Sequence, residues 1–87
     1  MTKMRTFKKI MEKSNSDRVV ILTNNYQILG NVCDYDECNK DEYINLKNVR
    51  MCNINDIYDG VCESDFSFEW LHINIEEVVA YSFIKQI

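Results

Sequence analysis

The chain has 87 residues, 46% of them hydrophobic, with no proline and only two glycines, Gly30 and Gly60. That supports one core and excludes long linkers, low-complexity tracts and compositional disorder. The net charge of −4 is unevenly spread, summing to +4 over residues 1–18, −7 over residues 19–69 and −1 over residues 70–87. A basic N-terminal segment on an acidic body can touch phosphate locally, although the whole chain repels nucleic acid at long range. No apolar run reaches the ~20 residues of a membrane span. The N-terminal segment from Met1 to Lys13 is charged throughout and lacks the apolar core of a signal peptide. The expected compartment is the cytoplasm, with no membrane partner.

Met4, Phe7, Ile10 and Met11 recur at helical spacing, so residues 1–15 are predicted to hold a short amphipathic helix. Lys8, Lys9, Glu12 and Lys13 occupy its other faces, and Ser14-Asn15-Ser16-Asp17 ends it. The β-branched run Val19–Thr23 predicts a first strand. Asn24-Asn25 predicts a hairpin turn that tolerates positive φ. Tyr26–Tyr35 reads as a longer second strand with Gly30 in its middle, a position that marks a sharp bend or a close backbone approach. An acidic loop follows, then a third strand over Tyr43–Cys52 with Ile44, Leu46 and Val49 inward. Residues 53–64 read as a polar connection. Phe66–Ile73 forms a fourth strand carrying Phe66, Phe68 and Trp70 at period two, a spacing that predicts core in preference to a base-stacking surface. A short turn leads to a fifth strand over Val78–Ile84.

One short helix followed by five strands predicts a mainly β fold: a small, strongly bent barrel over residues 18–84, in a single domain spanning residues 1–87. The order Gly30, Val32, Tyr35, Asp36, Asn39, Ile44, Leu46 resembles the first motif of the Sm-like family. In that motif a glycine is followed by apolar residues, Asp, an Asn-containing turn and an apolar-x-Leu strand. The stretch Ile73-Asn74-Ile75-Glu76-Glu77-Val78-Val79 resembles the second motif, especially in its bacterial Hfq-like form. The turn after Asp36 is one residue shorter than the family's, with Lys40-Asp41-Glu42 inserted. The Arg-Gly and Lys-His pairs of the second motif are missing.

The resemblance implies an Sm-like or SH3-like barrel, RNA as a partner and homo-oligomeric rings. Asp36, Asn39 and Asn74 carry over by position to the RNA site, and Tyr35 is assigned to it with them. Lys3, Arg5, Lys8 and Lys9 of the helix are the candidate phosphate contacts. The resemblance also implies ring assembly through the last two strands, which places Val78, Val79, Tyr81 and Phe83 at the subunit interface. The alternative is an acidic interaction module, of the kind found in small phage-type inhibitors, that binds a basic protein and no nucleic acid.

Catalytic and metal chemistry find little support. Cys33, Cys38, Cys52 and Cys62 are separated by four, thirteen and nine residues, unlike the close pairs of zinc sites. His72 is the one histidine. The cysteines are expected to be reduced thiols, with metal binding or a disulfide as the open alternatives. Cys38 and Cys62, placed in loops, are the more reactive. A Cys–His nucleophile needs a third, orienting group. The acidic pairs Asp34/Asp36 and Glu76/Glu77 read as solvated. The stretch from Asn55 fails the EF-hand pattern, with Ile57 at the third position and Phe66 at the twelfth. No enzyme activity and no cofactor are expected.

Overall fold

The computed structural model describes residues 2–33 and 42–85. Its elements run in the order helix α1 (Thr2–Ser14), strands β1 (Arg18–Leu22), β2 (Tyr26–Val32) and β3 (Tyr43–Asn53), a 3-10 turn (Ile54–Asp56), β4 (Ile57–Tyr58), β5 (Val61–Cys62), β6 (Asp65–Asn74), a second 3-10 turn (Ile75–Glu77) and β7 (Ala80–Phe83). Five strands form one antiparallel sheet in the order β6-β3-β2-β1-β7, and β4 pairs with β5 in a separate two-stranded hairpin.

Helix α1 buries less of itself than its periodicity predicts. Met4 and Phe7 are buried, Met11 is half-buried, and Ile10 remains 42% exposed. Asn15 ends the helix with φ 55°, a conformation asparagine tolerates better than most residues. Its N–H bonds to the Glu12 carbonyl at 3.2 Å. The Ser14 hydroxyl donates to the Met11 carbonyl at 2.8 Å. Phe7 then packs between Tyr81 and Phe83 of β7, with ring centroids 4.9 and 5.0 Å away, distances typical of aromatic pairs. The helix is thereby pinned across one end of the sheet.

The β1–β2 turn is made without positive φ at Asn24 or Asn25. Thr23 organises it instead. Its backbone N–H bonds to the Tyr26 carbonyl at 2.9 Å, and its hydroxyl accepts from the Tyr26 N–H at 3.0 Å, a local bond of the kind that stabilises turns.

The bend comes from two positions on neighbouring strands. The β2–β3 register slips between Leu29 and Asn31, around Gly30. Asn48, in the middle of β3, has φ 52°. Ile44 and Leu46 are buried two residues apart, but the next buried side chain is Val49, three residues on. The inward face therefore changes parity across Asn48, and one strand lines both halves of the bent sheet. A Cβ on Gly30 would sit 3.3 Å from both Leu46 Cβ and Val49 Cγ2. A side chain there would force Leu46 and Val49 to give by a few tenths of an ångström, so glycine suits the close approach of the strands.

Three readings are corrected here. The polar connection contains the β4–β5 hairpin. Asp59 and Gly60 turn it with positive φ, as a tight two-residue hairpin requires. The fifth strand starts at Ala80, because Val78 instead closes the second 3-10 turn with its N–H on the Ile75 carbonyl. Cys52 and Cys62 form a disulfide, with Cα atoms 6.1 Å apart. The hairpin folds back far enough to bring the two cysteines within bridging range, which linear spacing did not reveal. Cys33 is a free, half-buried thiol. Cys38 lies outside the described residues.

Gly30→Val is expected to lower stability by about 1–3 kcal/mol through overpacking against Leu46 and Val49. For a domain of this size each kcal/mol lowers the melting temperature by roughly 4–8 °C. An unchanged thermal transition would contradict the close approach at the bend.

Candidate nucleic-acid interface

The four helix cations assigned to phosphate occupy different environments. Lys3 Nζ is 2.8 Å from Glu76 Oε2, joining α1 to the second 3-10 turn, with both side chains more than half exposed. Lys8 is half-buried and lines a cleft of about 120 Å³ with Phe7, Met11, Glu12, Tyr43 and Asn45. Arg5 and Lys9 are exposed and have no ion pair among the described residues. Of the predicted phosphate contacts, these two are the most available.

The second 3-10 turn lies beside the end of the β2–β3 connection, because the Ile75 N–H bonds to the Glu42 carbonyl at 2.8 Å. Asn74 starts that turn. Its side-chain oxygen accepts from the Glu76 N–H at 2.9 Å, so it is already engaged by backbone as a cap. Tyr35, Asp36 and Asn39, the other residues assigned to the RNA site, lie outside the described residues. Among the described residues, Asn74 is brought close to Glu42 and, through Glu76, to Lys3.

One buried amide stands nearby, paired with an exposed histidine. Asn45 is 7% exposed, and its Oδ1 lies 2.5 Å from Nδ1 of His72, its registered partner on β6. The histidine thus satisfies a buried amide. A larger cleft of about 740 Å³ opens beneath the C-terminal end of α1, between residues 11–17 and Lys85, and contains none of the predicted site residues.

The aromatic run on β6 is not core. Phe66, Phe68 and Trp70 are 49%, 39% and 45% exposed. The register sets Phe66 opposite Met51 and Phe68 opposite the fully buried Val49, so both rings lie on the side of the sheet that the core uses. Their exposure has an edge-strand cause. Among the described residues β6 pairs only with β3, so the rings are covered on one flank. The sequence carries the sign of this arrangement at Trp70-Leu71, where two apolar residues adjoin and the alternation passes to Leu71 and Ile73.

At the other end of the sheet β7 pairs only with β1 among the described residues. The four residues assigned to a subunit interface divide here. Val79 is 64% exposed, Val78 is half-buried against the core, and Tyr81 and Phe83 face Phe7 within the chain.

An Sm protein from Pyrococcus abyssii, solved in complex with a uridine heptamer, superposes on this chain with a TM-score of 0.58. The match covers 88% of this chain and 96% of that one at 18% sequence identity. The fold is Sm-like. No family model matches the sequence, and no curated protein matches it. Within the Sm-like fold the strongly bent five-stranded sheet, the N-terminal helix and two sheet edges unpaired among the described residues follow from the packing of this sequence.

Because the Lys3–Glu76 pair is solvent-exposed, Lys3→Ala is expected to change stability by less than about 1 kcal/mol. Asn74→Ala removes a backbone cap and should cost more, about 0.5–2 kcal/mol. Chemical denaturation of the two variants, compared with the parent chain, checks that order.

Proposed function

We propose that this chain is an Sm-like binding module, not a catalyst, that assembles edge to edge and contacts single-stranded RNA weakly through α1. The observation that carries the reading is the likeness of its fold to an Sm protein solved with a uridine heptamer. Arg5 and Lys9, exposed and without an ion pair among the described residues, support a phosphate contact on the helix. The acidic body, at −7 over residues 19–69, opposes it. Affinity should therefore be modest and should fall steeply with salt.

The assembly reading draws on the ends of the sheet. A long edge strand with exposed aromatic side chains is a liability unless another chain covers it. β6 offers such an edge, and β7 offers a second one at the opposite end. Pairing β6 of one copy with β7 of the next is a head-to-tail contact, which closes into a ring when the rotation per copy permits. No helix among the described residues is long and apolar enough to cross a membrane, and the compartment proposed is the cytoplasm.

A second reading is favoured by one observation. Phe66, Phe68 and Trp70 stand exposed on a body that is acidic, at −7 over residues 19–69. An aromatic patch on an acidic body fits a basic protein partner, and on that reading no RNA is bound.

Titration of a labelled U-rich oligonucleotide at low and moderate salt separates these readings. Binding near ~50 mM salt that weakens by orders of magnitude toward ~200 mM is the expected result. Arg5→Glu with Lys9→Glu should abolish it and leave the fold intact, because both side chains are at the surface. No binding at the lowest salt removes the RNA reading.

Light scattering tests assembly. The parent chain should run as a closed ring of several copies. Val79 is an edge residue that is 64% exposed. Val79→Lys places a charge there and should shift the ring toward monomers without disturbing the core. A parent chain that is monomeric at all concentrations contradicts the assembly reading.

A further inference from the structure

The disulfide between Cys52 and Cys62 ties the β4–β5 hairpin to the end of β3. That hairpin has few other anchors. The 3-10 turn before it buries no residue, and Tyr58 and Val61 are 57% and 64% exposed. Its strands meet through two pairs, Ile57 with Cys62 and Tyr58 with Val61. A two-stranded hairpin alone is marginal in water. Its remaining bonds hold the feet and not the tip: the Ile54 N–H bonds to the Asn25 carbonyl, the Glu63 N–H to the Asp56 carbonyl, and the Ser64 hydroxyl to the Asp56 carboxylate. None of residues 54–62 belongs to the buried core cluster. A covalent link across a sequence separation of 10 is therefore the main constraint on the hairpin's open alternatives.

The pair is also built to exist open. Cys62 is half-buried and within reach of a reductant, whereas Cys52 is 5% exposed. Cys52 Sγ lies 3.3 Å from the Asn53 carbonyl oxygen. Once the bridge is broken, the Cys52 thiol has that acceptor for its S–H, and a buried thiol behaves as a small apolar group. Reduction leaves no buried polar atom without a partner at Cys52.

We propose that Cys52 and Cys62 are a redox clip that switches the β4–β5 hairpin between an ordered and a loosened state while the five-stranded sheet stays folded. The reductant is a cellular dithiol. Its thiolate attacks Cys62 Sγ, the S–S bond breaks, and Cys52 leaves as a thiolate that takes up a proton. The reductant's second thiolate then attacks its own sulfur in the mixed disulfide. Cys62 is released and protonated, and the reductant departs as a disulfide. Two electrons pass to the cysteine pair, and the two protons lost by the reductant balance the two gained. A disulfide oxidant reverses the exchange. In a reducing compartment such a bridge is transient, as a clip requires.

The loosened segment feeds directly into β6, whose first residue, Asp65, is registered with Cys52. The clip therefore controls the start of the strand that carries the exposed aromatics, with no dependence on whether that strand binds RNA, protein or another copy.

The test uses the full chain in oxidised glutathione and in dithiothreitol, read by disulfide mapping and hydrogen exchange. Mapping should find Cys52 joined to Cys62 in the oxidised protein. Reduction should speed exchange across residues 54–66 by about tenfold or more, with the protection of β1, β2 and β3 unchanged. Cys62→Ser, which leaves the buried Cys52 in place, should show the faster exchange in both buffers. Absence of the bridge after oxidation overturns the proposal. So does equal exchange of residues 54–66 in the two buffers, or a loss of protection throughout the sheet on reduction.

Discussion

The close approach of β2 to β3 at Gly30 is the constraint on which the rest of the structure depends. Leu46 and Val49 are buried on either side of the kink at Asn48, and both reach toward the space a Gly30 side chain would fill. A straight β3 would direct Leu46 and Val49 to opposite faces, since side chains alternate strictly along a strand. The extra residue at the kink restores both to the interior. One sheet then wraps its own core, which is how so short a chain encloses Val19, Ile21, Ile44, Leu46 and Val49 at 2% exposure or less. The bend is thus a packing solution to small size, with glycine on one strand and a positive-φ asparagine on the other.

The same bend decides what is left uncovered. Helix α1 closes one end of the sheet through Phe7, held between Tyr81 and Phe83. That contact stiffens β7 from the inside and leaves its outer edge unpaired among the described residues. It also fixes the helix, so Arg5 and Lys9 project from an element whose position is set by aromatic packing. β6 receives no such cover: Phe68 lies on the same side as buried Val49 and is still 39% exposed. The exposed rings are therefore the unfinished flank of the core, a different situation from scattered surface aromatics.

The order of helix and five long strands was readable from apolar periodicity, and Gly30 from its isolation inside a strand. These signals are local, and the elements that produce them span whole turns of helix or several strand residues. Trp70 misled because the alternation shifts at Trp70-Leu71 and sets it opposite exposed Lys47, and Phe66 and Phe68 misled because period two reports which face a residue joins. It does not report whether anything lies beyond that face at a sheet edge. The β4–β5 hairpin had a sequence signal in Asp59-Gly60, but two-residue strands leave no periodicity to accompany it. The disulfide was hidden for a related reason, since the Cα of Cys62 comes 6.1 Å from that of Cys52 only after the hairpin folds back. At the candidate interface, the sequence marked Lys3 and Asn74, which turn out to be neighbours of one turn. Their engagement with Glu76 and its backbone N–H is a product of tertiary geometry.

The charge distribution limits what any phosphate contact on this molecule can achieve. The few exposed cations of α1, Arg5 and Lys9 among them, stand against a body at −7 over residues 19–69, so a single copy gains little from a polyanion at physiological salt. The proposed head-to-tail assembly would change that balance. Each copy in a ring is related to the next by one rotation, so every α1 falls on the same side of the assembly. Arg5 and Lys9 then recur around one rim. On the proposed reading, a strand of RNA that met one pair would find the next at a high effective concentration, and weak contacts would accumulate without any new chemistry. Occupation of the β6 edge and a useful affinity for RNA are on this argument coupled properties, because the first supplies the repetition that the second lacks in one copy.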